Sequence, residues 1–224
     1  MENLPKISEL FDLSHTLASS LLSTVRYPWE ILPMLPELLL KLQASLPGDE
    51  YVMLGEGVLA SRSARISPSA VLLGPTVIGR GSEVRPGAYL RGNVLVGDDC
   101  VVGNSTELKS CILFDGVQVP HYNYVGDSIL GYRAHFGAGA IASNVRGDRG
   151  EVTVHAEAEY PTGLKKLGAM VGDLAEIGCH SVLCPGTVIG RRTQVYPLVR
   201  VRGVIAADRI VKDAGTVALR EVRV

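Results

Sequence analysis

The chain has 224 residues, of which 46% are hydrophobic, and its 22 basic and 23 acidic residues give a formal net charge of −1. This balance, without a run of lysine and arginine, argues against a dedicated nucleic-acid-binding protein. No apolar run reaches the roughly 20 residues that span a bilayer, and the first residues do not resemble a signal peptide. We therefore expect no membrane span, and a chain long enough for one sizeable domain.

The four cysteines, Cys100, Cys111, Cys179 and Cys184, form neither a CxxC pair nor a disulfide ladder. Disulfides are rare in reducing compartments, so this pattern predicts free thiols and a cytoplasmic location. The spacing does not favour a structural zinc site.

Residues 7–47 differ from the rest of the chain because their leucines recur at helical spacing. We interpret residues 1–50 as a helical cap over the first coil of a repeat protein, since terminal repeats need a cover. Alternatively, Trp29 and residues 33–36 form an apolar surface on which another protein docks.

Further along the chain, aliphatic side chains recur at every sixth residue. They are Ile66, Leu72, Ile78, Val84, Leu90, Val96, Val102 and Leu108, and later Val171, Ile177, Leu183, Ile189, Val195 and Val201. This period fits neither a helix nor a simple strand, but it suits a coil with three flat faces and about 18 residues per turn. Stacked turns enclose the repeating side chains. The sequence therefore predicts a mainly β protein, a parallel β-helix over residues 51–205, whose hand the period does not give.

The repeat is interrupted in two places and is followed by a short final segment. After Leu108 the period slips by about one residue, which indicates a shortened or bulged face. A charged stretch at about 145–168 predicts an excursion from the coil. Residues 206–224 are expected to be a C-terminal tail with at most a short edge strand.

Polar motifs gather around these interruptions. They are GNSTELK at 103–109, PHYNYVGDSILG at 120–131, GAGAIASN at 137–144 and LKKLGAMVGD at 164–173. As an ordered set, they resemble the acetyltransferase domain of bifunctional UDP-N-acetylglucosamine pyrophosphorylase/glucosamine-1-phosphate N-acetyltransferase, and of archaeal sugar-1-phosphate nucleotidylyltransferase/acetyltransferase relatives. The resemblance implies a left-handed parallel β-helix, usually assembled as a homotrimer with active sites between neighbouring subunits.

By this resemblance, His121 is the general base that takes a proton from the sugar amine as the amine attacks the acetyl-CoA thioester. Imidazole suits this role because its ordinary pKa of about 6.5 lets it accept a proton at neutral pH. Lys109 matches the lysine that binds the sugar phosphate, and Arg85 resembles the phosphate-binding arginine. The spacing from Arg85 to Gly103 is one hexapeptide longer than the family's, so Arg91 is the alternative.

Other matches are to sugar-binding positions. Tyr124 and Asn144 match residues that contact the sugar through hydroxyl and amide groups. Asp127 is expected to orient His121 or to pair with Lys109, and an ordinary turn aspartate is the alternative.

On the donor side, Ala138 and Gly139 match a small-residue segment where the acetyl donor approaches the backbone. Two residues depart from the family pattern. His135 is a substrate-binding candidate where asparagine is common, and Cys179 is a coenzyme-binding candidate where the bacterial enzyme has a small hydroxyl residue. These departures leave the identities of the sugar and the acyl donor open.

The sequence thus predicts an acetyl-CoA-dependent N-acetyltransferase that acts on an amino-sugar 1-phosphate and needs no metal for acyl transfer. The chain has no glycine-rich nucleotide-binding signature before the repeat, so nucleotidyltransferase activity is not expected. The alternative is a noncatalytic sugar-phosphate or sugar-nucleotide binding subunit that partners a separate nucleotidyltransferase. A purely structural β-helix is a third interpretation.

Overall fold

The computed structural model describes residues 4–213 and 215–220. Their backbone forms a β-solenoid, in which short parallel strands wind into three sheets around one aliphatic core. The prediction of a mainly β fold built from parallel coils is confirmed, and the left hand of the coil stays a prediction. The helices lie before the solenoid: α1 Ile7–Leu10, α2 Ser19–Leu22 and α3 Leu35–Ser45, with 3-10 helices at Leu13–His15 and Pro28–Met34.

The three sheets are the faces of the solenoid, and the strands are numbered along the chain. Face 1 contains β1 Tyr51–Gly55, β2 Val58–Ser61, β5 Thr76–Ile78, β8 Val94–Val96, β11 Cys111–Leu113, β14 Ile129–Leu130, β19 Ala169–Val171, β22 Thr187–Ile189 and β25 Val204–Ile205. Face 2 contains β3 Arg65–Ile66, β6 Glu83–Val84, β9 Val101–Asn104, β12 Gln118–His121, β15 His135–Phe136, β20 Glu176–Ile177, β23 Gln194–Val195, β26 Arg209–Val211 and β27 Val217–Leu219. Face 3 contains β4 Val71–Leu73, β7 Tyr89–Arg91, β10 Glu107–Lys109, β13 Tyr124–Gly126, β16 Ile141–Ala142, β21 Val182–Leu183 and β24 Arg200–Val201. The remaining strands, β17 Thr153–His155 and β18 Glu159–Pro161, form an antiparallel hairpin.

The register between coils explains the slip in the repeat. Leu90 pairs with Leu108, 18 residues later, whereas Leu108 pairs with Val125 after only 17 residues. The missing residue lies at the turn from face 3 to face 1, where Ser110 alone separates β10 from β11. The next coil is shortened in the same way at Asp127, and both turn residues have a φ of 46°. The slip predicted after Leu108 is confirmed.

The repeating aliphatic side chains fill the interior of the solenoid. From Ile78 to Leu108, and again from Val171 to Ile189, each of them is at most 1% exposed. Burying one such side chain contributes roughly 1.5 to 3 kcal/mol before the conformational entropy is subtracted.

The N-terminal segment, residues 4–50, packs along face 1. Helix α3 contacts β5 and β8, and the Phe11 ring lies 5.2 Å from that of Phe114, centroid to centroid. Further along, the backbone N–H of Asp12 donates to the Asp173 carboxylate at 2.7 Å. The prediction of a cap over the first coil therefore needs correcting, because the segment extends along face 1. Face 1 requires this cover because its strands, such as β8, carry apolar side chains on the outer as well as the inner surface.

The alternative prediction, a docking surface around Trp29, also needs correcting in part. Trp29 is 2% exposed, and its ring stacks on Tyr27 at 4.8 Å. Met34 remains 41% exposed, but the indole is used inside the protein and is not available to a partner.

Between β16 and β19 the chain leaves the coil and forms the β17–β18 hairpin, in the region where the sequence predicts an excursion. The hairpin is attached to the solenoid, since Val152 and Val154 are buried and β17 contacts β22. We call residues 145–168 the excursion.

The parallel coil continues past the predicted boundary at residue 205. Strand β26 pairs in parallel with β23, and β27 then adds to β26 as an antiparallel edge strand. The region predicted as a tail thus contributes two strands to face 2, while residues 214 and 221–224 of that tail lie outside the described residues. Among residues 4–213 and 215–220, no helix has both the length and the apolar character needed to cross a bilayer.

Candidate active site

Face 3 carries most of the polar residues that the sequence singles out. Side chains alternate along each strand, so Leu108 points inward while Glu107 and Lys109 point outward. Unlike face 1, the outer surface of face 3 is open: Tyr89 is 38% exposed and Ile141 is 36% exposed. A ligand therefore has direct access to these outward side chains.

Four of the candidate residues form one network at the edge of face 3. The Lys109 Nζ atom lies 3.0 Å from Asp127 Oδ2 and 3.1 Å from Oδ1. The Asn144 side-chain amide donates to Asp127 Oδ2 and also bonds to the Tyr124 hydroxyl. Of the roles predicted for Asp127, the structure shows the pairing with Lys109.

Burial is uneven across this network. Asp127 and Asn144 are 8% and 7% exposed, whereas Lys109 and Tyr124 are half-buried. Burial raises the pKa of Tyr124, and its hydrogen bond with Asn144 opposes part of that rise. The phenol therefore keeps its proton at neutral pH and can donate or accept a hydrogen bond.

Gly126 provides the space that the network occupies. A Cβ atom at this position would lie 2.5 Å from the Tyr124 hydroxyl oxygen and 2.7 Å from Asn144 Nδ2. Both side chains thus lie over the glycine, which explains why the outward position after Val125 has no side chain of its own.

Register decides which of the two candidate arginines lies beside Lys109. Because Leu90 pairs with Leu108, Arg91 and Lys109 occupy the same outward column of face 3, one coil apart. Arg91 Nη1 donates to Glu107 Oε1 at 2.6 Å.

The other candidate, Arg85, follows β6 on face 2, where its Nε atom lies 3.2 Å from Glu83 Oε1. His135 is also on face 2, with Nδ1 2.8 Å from Glu176 Oε2. Neither residue joins the Lys109 network.

His121 lies at the edge between faces 2 and 3, where its side chain is exposed. Among the residues that the structure describes, no side-chain partner of His121 is found, so Asp127 does not orient it. The backbone carbonyl of His121 accepts from the Gly139 N–H at 2.9 Å. In the next coil the His180 N–H donates to the Ala138 carbonyl at 2.8 Å, which places Cys179, an exposed thiol, on the same edge.

Sequence reasoning missed Asn123, a buried residue that is 2% exposed. Its Oδ1 accepts from the backbone N–H of His121 at 3.1 Å, and its Nδ2 donates to the carbonyls of Gly137 at 2.8 Å and Ala140 at 3.2 Å. One amide thus ties the His121 turn to the turn that holds Gly139. A signal was present, because small residues occupy the matching positions of other coils: Ala88, Thr106, Ala140 and Ser181.

Glu107 was also missed, although it belongs to the GNSTELK motif. It supplies the carboxylate partner of Arg91 and stacks one coil below Tyr124. An acidic residue inside this motif gave no reason to select it from the sequence alone.

Several known proteins are similar in sequence to this chain. A family model described as the GMPPB C-terminal domain matches residues 72–158. The bifunctional protein GlmU of Methanococcus maripaludis (strain C5) is 32% identical over 194 residues, which are 86% of this chain and 47% of that protein. This chain is a homologue of GlmU-type proteins. The predicted resemblance is confirmed, and the chain spans about half the length of this GlmU.

A second relative has a more explicit name. The bifunctional sugar-1-phosphate nucleotidylyltransferase/acetyltransferase of Sulfurisphaera tokodaii is 34% identical over 113 residues, which are 50% of this chain and 28% of that protein. Among solved structures, a point mutant of AntD, an N-acyltransferase from Bacillus cereus, aligns with a TM-score of 0.42 and 16% identity over 78% of this chain and 91% of that one. Since this score is below 0.5, our description of the fold rests on the strands of the chain itself.

Proposed function

We propose that this chain is an acetyl-CoA-dependent N-acetyltransferase that acts on an amino-sugar 1-phosphate. The observation that carries the proposal is the Lys109–Asp127–Asn144–Tyr124 network on the open face 3, with the exposed His121 imidazole at the edge of the same face. The names of the relatives support it, since one of them is called a sugar-1-phosphate nucleotidylyltransferase/acetyltransferase.

In the proposed reaction, a neutral imidazole of His121 accepts a proton as the sugar amine attacks the thioester carbonyl carbon. A C–N bond forms, the C–S bond breaks, and the CoA thiolate leaves and takes up a proton. A positioned base of this kind typically accelerates a reaction by roughly 10² to 10⁴. Holding the amine and the thioester in attack geometry removes a further entropic barrier. No metal is needed for these steps.

Lys109 and Arg91 are the proposed phosphate ligands because they lie in one column, about 4.8 Å apart along the solenoid axis. Each already has a carboxylate partner, Asp127 and Glu107 respectively. A bound phosphate therefore replaces a carboxylate at one or both cations. Tyr124 and Asn144 would then contact the sugar hydroxyls or the N-acyl group.

The donor would bind along the edge that holds Ala138 and Gly139, one coil beyond His121, and Cys179 in the coil after that. The proposed assembly is a homotrimer, in which cyclic symmetry brings the donor edge of one subunit to the sugar-binding network of its neighbour. Four free cysteines suit the reducing cytoplasm, which is the proposed location.

The second candidate is a noncatalytic subunit that binds a sugar phosphate or sugar nucleotide and partners a separate nucleotidyltransferase. The observation that favours it is the His121 side chain, which has no orienting partner in residues 4–213 or 215–220. A catalytic histidine is commonly held by a third group, as in hydrolase triads.

The deciding experiment measures CoA release from acetyl-CoA with glucosamine 1-phosphate, for the wild type and for His121→Ala. We expect release by the wild type and a loss of at least about a hundredfold in the variant, with unchanged thermal melting. Full activity of His121→Ala would refute the proposed base. Binding of glucosamine 1-phosphate without any CoA release would favour the noncatalytic candidate.

A further inference from the structure

The excursion and the last coils of face 3 border a groove. It has a volume of 360 Å³ and is lined by the side chains of Arg146, His155, Cys184, Arg200 and Arg202, among others. Strand β24, which carries Arg200, is four strands above β10 in face 3. At the usual strand spacing, Arg200 is about 19 Å from Lys109 along the solenoid axis.

The wall of this groove is firmly attached to the solenoid. Val152 and Val154 at the base of the hairpin are 1% and 0% exposed. At Gly203, where φ is +83°, a Cβ atom would lie 2.8 Å from the His155 carbonyl oxygen. The hairpin thus approaches the coil as closely as a glycine allows, and the groove is formed before any ligand arrives.

Two guanidinium groups in the groove have no direct carboxylate partner among the described residues. Arg200 is exposed and has no hydrogen-bond or ion-pair partner in the described part of the chain. Arg202 Nη2 lies 2.8 Å from His155 Nε2. Because a guanidinium only donates, Nε2 must accept, and the His155 proton sits on Nδ1, 3.2 Å from Glu159 Oε1. The His155 ring therefore holds Arg202 in place.

The third arginine is neutralised locally. Arg146 forms a forked pair with Asp148, with Nε–Oδ1 at 2.9 Å and Nη2–Oδ2 at 2.6 Å, and this pair lowers the pKa of Asp148 to about 2. Glu157 and Glu159 line the adjoining open cavity on the other side of Arg202. Asp148 is the acidic residue that lines the groove itself, so Arg200 and Arg202 are the guanidinium groups there without a direct carboxylate partner in the described part of the chain.

We propose that this groove is a binding site for the diphosphate group of a small molecule, held by Arg200 and Arg202. Both side chains project outward from the same extended segment, two residues and about 6.6 Å apart, because Val201 between them points inward. Each planar guanidinium presents a pair of donors to one phosphate. The volume suits a small ligand rather than a polynucleotide. This site is separate from the proposed sugar-phosphate site and does not depend on transferase activity.

The first test is calorimetric titration of the full chain with inorganic pyrophosphate. We expect binding that weakens as salt is raised, and a loss of at least about tenfold in affinity for the double variant Arg200→Gln/Arg202→Gln. Arg62→Gln is the matched control, since Arg62 is an exposed arginine in the first coil whose guanidinium donates to the Gly48 carbonyl. Absence of pyrophosphate binding, or affinity kept in the double variant, would overturn the proposal.

Cys184 offers a local readout. Its thiol lines the groove, whereas Cys179 is exposed elsewhere, and burial raises the pKa of Cys100 to about 12 and that of Cys111 further. Pyrophosphate should slow iodoacetamide alkylation at Cys184 and leave Cys179 unaffected, as measured by peptide mass spectrometry. Equal rates at Cys184 with and without pyrophosphate would contradict the assignment.

Competition then identifies the source of the diphosphate. CoA and UDP both contain one, so each is titrated against bound pyrophosphate, with UMP as the monophosphate control. Displacement by CoA would assign the groove to the acyl donor, and displacement by UDP would assign it to a nucleotide sugar. Failure of both to compete would reject a diphosphate-bearing small molecule as the ligand.

Discussion

Lys109 and Asp127 pair across two coils that are 17 residues apart in register, although they are 18 residues apart in sequence. The extra residue is the aspartate itself, which sits in the turn after β13 with a φ of 46°. This left-handed turn returns the carboxylate over the lysine of the coil below. The shortened turn thus both disturbs the repeat and builds the polar network.

Asp127→Ala should lower the free energy of unfolding by about 2 kcal/mol, because it leaves the Lys109 ammonium and the Asn144 amide without their acceptor. Asp127→Asn should cost less, since asparagine tolerates the left-handed backbone and its one amide oxygen can still accept from Asn144. Urea unfolding of the two variants measures the difference. Equal losses would show that the neutral amide recovers nothing and that the charge of Asp127 carries the whole interaction.

Gly126→Ala should separate activity from stability. The new Cβ would displace the ends of the Tyr124 and Asn144 side chains, which can swing away, so we expect a stability loss below about 1 kcal/mol. Acetyl transfer should fall at least about tenfold because the sugar-contacting groups move. Gly55→Ala is the matched control, since its Cβ meets no atom within 4 Å. Normal kcat/KM in Gly126→Ala would remove Tyr124 and Asn144 from the proposed site.

Asn123→Ala should cost about 2 to 3 kcal/mol, because it leaves the backbone N–H of His121 and the carbonyls of Gly137 and Ala140 without their buried partner. Hydrogen exchange should speed up at the His121 amide in particular. If Asn123 positions the base, kcat should fall more than KM rises. A uniform loss of stability with unchanged kcat would limit Asn123 to a structural role.

Tyr51→Phe should stabilise the protein by about 1 kcal/mol. The Tyr51 hydroxyl is buried without a hydrogen-bond partner among the described residues, so removing it ends a desolvation cost. Burial, and then the Asp98 carboxylate, raise the pKa of Tyr51 above its ordinary value of 10.0. The folded state therefore holds the Tyr51 proton more tightly than the unfolded state does. The wild type keeps its full stability below pH 10.0 and loses part of it as pH rises through the folded-state pKa. Thermal melts across this range should show a steeper alkaline decline for the wild type than for Tyr51→Phe.

The solenoid could be predicted from sequence because its signal repeats. Each coil supplies an independent inward side chain, so Leu90, Val96 and Val102 each report the same architecture. The slip after Leu108 was visible for the same reason. The placement of the helices could not be predicted in this way. An apolar helical face shows that the helix packs on another surface, but it does not show which surface of the solenoid that is.

The candidate site was only partly predictable. The motifs identified Lys109, Asp127 and Asn144, and the structure joins them. Choosing between Arg85 and Arg91 required the register of the coils, because the two residues differ by one face of the solenoid. Asn123 was hidden because its role is to bond backbone groups from two coils, and those contacts do not exist until the coils stack.

The helical segment on face 1 also bears on how the chain folds during synthesis. Residues 10–12 precede most of the solenoid, yet they bond to Asp173, and Tyr27 packs against Tyr160 in the excursion. A nascent chain therefore carries its cover long before most of face 1 exists. Cover residues that pack on later coils, such as Phe11, stay exposed until those coils emerge, and such exposed apolar surface favours aggregation. Slow folding, set by contacts between residues far apart in sequence, follows from this topology.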